Sequence, residues 1–413
     1  MSREPRTLGV YSDGPLALVE TADGERIAPD AADFPFLTFV CTVGLEFEAT
    51  LLFGRVHGRV EANGRPLPPP SIVVEPLPFY ESLLDVGQLV RAAPGTLRAF
   101  WRGLSNVDAV WVFGPHPFAF LLVAAAAVRR RRVVLGVRQD TLAYFRGRLP
   151  GARWKPALLA VRLWDVGFRC LGRCLSTTAV GDKLSQAYGE GRAGLLTMTV
   201  SLVRDADLVP APPARDWTGT IELLTVGRID REKNPLLLVD ALAALRRQRP
   251  GRYRLVWVGT GPLEAAVRRR AEELGVGDVI EFAGFVPFGP ELLERYRKAH
   301  LFVHVSLTEG VPAVLIEALA SGTPVVATDV GGVAAMLDGG RLGLLVPPAD
   351  LDALVAALVQ AIEDAGGRDL RVREGLEAAR AWTLDKQAER IARFIKGSAA
   401  ENPIEQATGD ATT

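Results

Sequence analysis

Short apolar runs alternate along this chain with longer segments of helical period. Runs at 8–20, 49–56, 71–75, 108–113, 133–137, 175–180 and 195–203 read as strands in the first half. A second series lies at 221–226, 253–258, 279–283, 301–305, 324–327 and 343–346, with helical segments such as 235–247 and 262–274 between its members. Strands alternating with helices predict an α/β fold, with two mostly parallel sheets covered by helices on both faces. Asp23-Gly24 and Asn63-Gly64 are turn signals, the first predicting a hairpin-like elaboration of the opening strand. Between Phe36 and Phe47, residues Leu37, Val40, Val43, Gly44 and Phe47 share one helical face, and the spacing predicts a helix there.

The pattern breaks at 204–219 (RDADLVPAPPARDWTG), rich in proline and charge, which reads as a linker between a domain at 1–203 and one at 220–381. A chain of 413 residues suits two α/β domains of roughly 200 residues. A last helical segment covers 382–397, and 398–413 carries no apolar pattern and is expected to be disordered.

Charge and cysteine content narrow the function class. Lys and Arg number 48, as do Asp and Glu, so bulk electrostatics does not favour a nucleic-acid binder. Cys41, Cys170 and Cys174 are too few for a disulfide framework and point to a reducing, cytoplasmic compartment. Cys170 and Cys174, at helical i,i+4 spacing, read as core residues. Residues 1–30 show no apolar secretory core. Between Trp111 and Val128 only Phe118–Val128 is continuously apolar, short of the roughly 20 residues that span a bilayer. That stretch predicts a buried helix, with Arg129–Arg132 at its C-terminal dipole.

Residues 138–174 hold seven arginines and Lys155 against Asp140 and Asp165, with Trp154, Leu158, Leu159, Val161, Trp164 and Phe168 interleaved. Two readings stand. One is a surface for an anionic membrane or a lipid-linked acceptor. The other is a core helix whose arginines snorkel to solvent.

The most informative stretch is 301–330, LFVHVSLTEGVPAVLIEALASGTPVVATDV. A strand leads to the turn Ser306–Gly310, and a helix opens at Pro312, taken as its first residue. Free N–H groups at such a helix start suit an anion. Glu309 stands beside that start and Glu317 lies along the helix, both suited to sugar or ribose hydroxyls. Gly310 lets a ligand approach the backbone. Upstream, Val226-Gly227-Arg228 ends a strand and Lys233-Asn234 follows, placing two cations in a βα turn where they suit a diphosphate.

Glu309 and Glu317 at this spacing resemble the Glu-x7-Glu donor site of the retaining glycosyltransferases of family 4. Four further segments resemble that family in the same order. They are Leu223–Pro235, Val256–Pro262 with its Gly-x-Gly-Pro turn, Phe282–Val286, and Ser321–Ala327. The resemblance implies the GT-B fold, two Rossmann-like doubly wound domains facing a central cleft, with the acceptor bound by the first and the nucleotide sugar by the second. It implies a retaining, metal-independent transfer from a UDP- or GDP-sugar, with no other cofactor. The acceptor is expected to be a glycolipid, polysaccharide precursor or other glycoconjugate, and the protein cytoplasmic, either free or peripheral at the inner face of the membrane. A donor-binding but catalytically silent partner subunit is the alternative. By this resemblance Gly227, Arg228 and Lys233 meet the diphosphate. Glu309 faces the donor sugar, and the Gly310 and Val311 N–H groups hold a sugar or phosphate oxygen. Glu317 accepts from the ribose, and Val286, at its strand end, meets the base. The 382–397 helix crosses back toward the first domain.

Departures lie in the first half. The family's glycine pair has only Ser12-Asp13-Gly14 or Val43-Gly44 as counterparts, and its histidine is matched either by His116 or, with the register unshifted, by Phe113. His300 and His304 read as structural. Asp205-Ala206-Asp207 and Asp350-Leu351-Asp352 read as linker and helix-start residues, not metal ligands.

Overall fold

The computed structural model describes residues 4–21, 24–29, 34–60, 71–149 and 151–397. They divide into two compact units, Met1–Val200 with Asp385–Thr413, and Ser201–Leu384. Asn63-Gly64 and the 398–413 tail lie outside the described residues.

The first unit runs β1 (Thr7–Thr21), β2 (Gly24–Pro29), α1 (Phe34–Leu45), β3 (Ala49–Val60) and β4 (Ile72–Leu77). It continues with α2 (Val86–Gly103), β5 (Ala109–Gly114), α3 (Pro117–Val128), β6 (Arg132–Val137) and α4 (Thr141–Arg148). Then follow α5 (Lys155–Cys174), β7 (Ser176–Val180), α6 (Asp182–Tyr188) and β8 (Leu195–Met198). The strand order is β4-β3-β1-β5-β6-β7-β8, with β2 an antiparallel hairpin partner of β1. All other pairings are parallel. From the β1–β5 pair the chain builds outward in opposite directions, the switch point at which open α/β sheets bind ligands. β1 is irregular there. It pairs Tyr11 with Phe53 and next Pro15 with Arg55, so four residues advance against two and Ser12–Gly14 bulge from the sheet. A bulge of this kind re-aims a side chain beside a site.

The second unit runs β9 (Ile221–Val226), α7 (Pro235–Gln248), β10 (Tyr253–Val258), α8 (Glu264–Glu273), β11 (Ile280–Gly284), α9 (Pro290–Lys298) and β12 (Leu301–His304). It closes with α10 (Ala313–Ala320), β13 (Val325–Thr328), α11 (Val333–Met336), β14 (Leu344–Val346), α12 (Leu351–Glu363) and α13 (Ala365–Arg380). Its six parallel strands are ordered β11-β10-β9-β12-β13-β14, with the switch point between β9 and β12. Both sheet faces are covered, and β12 and β13 are buried along their whole length. The proline-rich segment is held to this unit by Arg215, whose guanidinium donates to the carbonyls of Ala299 at 2.6 Å and Gly322 at 2.9 Å.

The last helix, α14 (Leu384–Lys396), packs with the first unit. Lys396 lies 5.1 Å from the Phe47 ring centroid, and the Gln387 amide oxygen accepts from Thr199 N at 3.2 Å.

Some expectations fail here for physical reasons. β8 stops at Met198, and Val203 packs into the second unit's core. Arg129 caps α3, but Arg132 already belongs to β6. Cys170 and Cys174 are exposed, not core. The face that α5 buries is Val161, Asp165, Phe168 and Gly172, a stripe that leaves both thiols outside.

Candidate active site

The second sheet's switch point is built from turns that lean on one another. Gly227 leaves β9, and Gly259 follows β10 at φ +131, where any Cβ would run into the Gly227 carbonyl. After β9 the Asp230 carboxylate accepts from Lys233 N at 3.2 Å, closing a short turn. Asn234 then takes the left-handed conformation, φ 48, and α7 starts at Pro235. Leu307 N donates to Glu232 O at 2.7 Å, tying the turn after β12 to the turn after β9. Lys233 and Glu309, far apart in sequence, are thereby brought together.

Glu309 is the hub. The Lys233 ammonium donates to its carboxylate, as does the Ser306 hydroxyl at 2.7 Å. The His304 Nε2 lies 2.9 Å from the same oxygen and 3.2 Å from Ser306 Oγ. Burial pushes the Glu309 carboxyl upward, but the hydrogen bond from His304 and the charge of Lys233 outweigh it and bring it down to about 2. Glu309 is therefore a fixed anion at neutral pH. His304 faces this carboxylate, so reading it as purely structural missed its contact. A histidine ending a strand five residues before a turn glutamate was the available signal. His300 is structural, its ring bridging Glu222 N at 3.1 Å and Asp216 O at 3.0 Å.

Glu317 has the opposite environment. It is buried on α10, and its carboxylate accepts from Tyr296 Oη at 2.9 Å. Burial raises its pKa to about 7, against the lowering effect of the tyrosine hydrogen bond. Two carboxylates on one strand–turn–helix are thus driven apart in acidity by their surroundings.

Arg228 is largely solvent-exposed and pairs with Asp230 at 3.0 Å and Glu232 at 3.2 Å. A Cβ on Gly310 would meet open space, so no protein atom dictates glycine there. Val311 is half-buried. Two expected positions shift. Pro312 is the extended N-cap of α10 and not its first residue, because ψ 109 lies outside the helical region. Val286 sits two residues beyond the end of β11 and packs into the core with Leu292 and Tyr296. The glycine pair Gly331-Gly332 was not singled out from sequence. Gly331, at φ +58, lies so close to the Glu309 carbonyl that a Cβ would collide, and Gly332 N donates to Gly310 O at 3.0 Å. Asp350 caps α12 by accepting from Ala353 N at 2.9 Å, and Asp207 accepts from Arg204 N at 2.8 Å. Among the described residues no cluster of three or more His, Cys, Asp or Glu side chains is arranged to hold a metal ion.

The first unit carries its own polar cluster at the β1–β5 switch point. His116 caps α3, its Nδ1 accepting from Phe118 N at 3.1 Å and lying 2.9 Å from Tyr11 Oη. With Nδ1 an acceptor, Nε2 holds the proton, facing Asp13 at 3.3 Å and Tyr80 Oη at 3.1 Å. Asp13, on the β1 bulge, also receives the Tyr80 hydroxyl and lies 3.6 Å from Arg55. Burial opposes its ionisation, but His116 and Arg55 hold it below the ordinary carboxylate range. Asp13, Arg55 and His116 border a pocket of about 450 Å³, lined also by Ser12, Arg138, Gln139 and Tyr144. Of the two glycine counterparts, Asp13-Gly14 lies beside His116. Gly44 instead lies in the last turn of α1, where its carbonyl accepts from Thr50 Oγ1 at 2.8 Å. Phe113 packs edge-on to Phe36, with centroids 4.9 Å apart.

Two parallel-sheet Rossmann-like units are the architecture of GT-B glycosyltransferases. A structure of the Anabaena protein Alr3699/HepE in complex with UDP superposes with a TM-score of 0.65 at 19% identity, over 94% of this chain and 98% of that one. WaaG, described as a glycosyltransferase involved in lipopolysaccharide biosynthesis, superposes with a TM-score of 0.64 at 16% identity, over 95% of this chain and 100% of that one. Residues 220–364 match the family model described as Glycosyl transferases group 1. The D-inositol 3-phosphate glycosyltransferase of Pseudarthrobacter chlorophenolicus is 42% identical over 131 residues, 31% of this chain and 31% of that protein. Matches of this kind span between 31% and 47% of the curated relatives' own length.

Proposed function

We propose that the chain is a metal-independent, retaining family 4 glycosyltransferase that takes a sugar from a UDP- or GDP-sugar in the second unit. The observation that carries this reading is the meeting of Lys233, His304 and Ser306 on Glu309 at the sheet's switch point, with Glu317 buried one helix along. As the bond from the anomeric carbon to the diphosphate breaks, negative charge grows on the leaving group and positive charge on the sugar. Lys233 and Arg228 are preorganised cations for the first, and Glu309 is a preorganised anion for the second. Gly227 and the N–H groups of Gly310 and Val311 line the diphosphate and sugar positions. Glu317 accepts from the ribose, and the backbone at Val286 meets the base. The acceptor oxygen forms its bond on the face the diphosphate leaves, and its proton passes to a diphosphate oxygen. The UDP in the Anabaena protein's structure supports a uridine donor first.

The acceptor binds in the first unit's pocket, where Asp13, His116 and Arg138 present donors and acceptors suited to a polyhydroxylated group. We assign it to a glycolipid or polysaccharide precursor, handled in the cytoplasm at the inner membrane face. No helix among the described residues is long and apolar enough to cross a membrane. The test is incubation with UDP- and GDP-sugars followed by proton NMR of the sugar released by slow hydrolysis. Retention predicts that the first anomer seen matches the donor's configuration. An inverted first product overturns the mechanism. Binding with neither hydrolysis nor transfer returns the chain to a silent donor-binding subunit.

A further inference from the structure

One face of the first unit is apolar and basic, and no described residue covers it. The steps from β4 to β5, β5 to β6 and β6 to β7 all move toward the same sheet edge, so right-handed crossovers lay α2, α3 and α5 on one face. Contacts agree. α2 packs on α3, and Phe120 of α3 meets Phe168 of α5 edge-on at 5.8 Å.

The outward side of these helices inverts the usual pattern. On α2, Val86 and Val90 are each 66% exposed, and Leu97 and Trp101 each 44%. Their spacing of four, seven and four residues forms one stripe along a helix roughly 27 Å long. Leu121 and Val128 are exposed on α3, and Leu159, Leu163 and Val166 on α5. Cations flank them: Arg91, Arg98 and Arg102 on α2, and Lys155, Arg162 and Arg173 on α5. Arg102 is paired with Glu75 of β4, and Arg129 lies 4.0 Å over the Trp101 ring. The three helices contain one acidic residue, Asp165, which is buried and paired with Arg169 at 2.9 Å. Helix α5 thus buries its aspartate and exposes Leu159 and Leu163.

We propose that the outer faces of α2, α3 and α5 form one docking surface for an anionic lipid bilayer. Exposed apolar side chains enter the acyl boundary, and the flanking Lys and Arg side chains meet lipid phosphates. Charge selects this occupant, because a face with exposed cations and no exposed acid on its helices complements an anionic sheet. The proposal extends the 138–174 stretch to α2 and α3. It gives the proposed acceptor a place, but it rests on the first unit's surface and not on the donor chemistry.

The test is sedimentation of the full chain with vesicles of phosphatidylcholine alone or mixed with phosphatidylglycerol. Binding should require the anionic lipid and weaken as salt shortens the Debye length, roughly 10 Å at 0.1 M. The triple variant Arg91→Glu, Arg98→Glu, Arg162→Glu should lower partitioning by at least about tenfold. Val90→Ser with Trp101→Ser should lower it without any change in charge. Arg247→Glu, an exposed site in the second unit, should leave it unchanged, and matched melting curves show that each variant folds. Equal pelleting with neutral and anionic vesicles, or none with either, overturns the proposal. So does a self-association in solution that the Val90 and Trp101 changes abolish while lipid has no effect. Nucleotide-sugar hydrolysis, measured in parallel, is indifferent to these variants, so failure here leaves the donor reading standing and the converse also holds.

Discussion

Replacing Glu317 with glutamine separates the cost of burying a charge from the use made of it. Glu317 is 7% exposed, and the hydroxyl of Tyr296 reaches its carboxyl at 2.9 Å. Burial moves its pKa from 4.5 to about 7, against the smaller pull of that hydrogen bond. A folded-state pKa above the unfolded one means the proton stabilises the fold. That stabilisation is fully present below pH 4.5 and is lost as the pH rises through 7. At roughly 1.4 kcal/mol per pH unit, holding the ionised form costs about 3 kcal/mol at alkaline pH. Glutamine keeps an acceptor for Tyr296 and never ionises. Glu317→Gln should therefore exceed the wild type by less than about 1 kcal/mol near pH 5 and by about 3 kcal/mol near pH 8.5, the latter roughly 6–12 °C in Tm for a unit of this size. Calorimetric melts of both proteins at the two pH values read this directly. A Tm gap of the same size at both pH values refutes the buried-charge argument. In the proposed role, ribose hydroxyls favour the charged form, so donor binding near pH 6 should release a proton in the wild type and none in the variant.

Lys233→Ala should lower turnover by about 10²-fold with the fold retained, and Arg228→Ala by less, since that guanidinium is mostly in solvent; near-normal kcat in the lysine variant refutes the diphosphate role. Chelation by EDTA should leave activity intact, whereas a loss restored by Mn²⁺ contradicts the role given to the protein's own cations. Glu309, held at about 2 by His304 and Lys233 against the effect of burial, contributes stability above its unfolded value of 4.5 that is lost as the pH falls toward 2. The stability gap between wild type and Glu309→Gln should therefore narrow across that window in urea titrations. A constant gap shows that the carboxylate's partners do not stabilise its charge.

Much of the fold was legible because parallel strands buried on both faces read as plain apolar runs. Val303 and Val326 sit in such runs, and both strands form where the pattern puts them. The turns of the proposed donor site were legible, since glycine, proline and paired charges at fixed offsets leave few backbone solutions. The Glu309–His304 contact was not, because alternation along a strand does not tell which way its last residue faces once a turn folds back. The Asp13–His116 pair depends on two extra residues in β1 relative to β3, a register fact that appears only when the strands are paired. Helix α5 misled for a third reason. Its apolar residues occupy both sides, so the pattern did not reveal that the side with Asp165 faces inward.

The account stands on the proposed donor site at the β9–β12 switch point. The most direct measurement is isothermal calorimetry of UDP- and GDP-sugars against the wild type and Lys233→Ala, supported by thermal shift, where ligand at a hundred times Kd adds roughly 2.7 kcal/mol. The account predicts that at least one nucleotide sugar binds the wild type, and that the lysine variant loses most of that affinity while melting as a folded protein. Binding of undiminished strength to Lys233→Ala, or no nucleotide-sugar binding to the folded wild type, would contradict it.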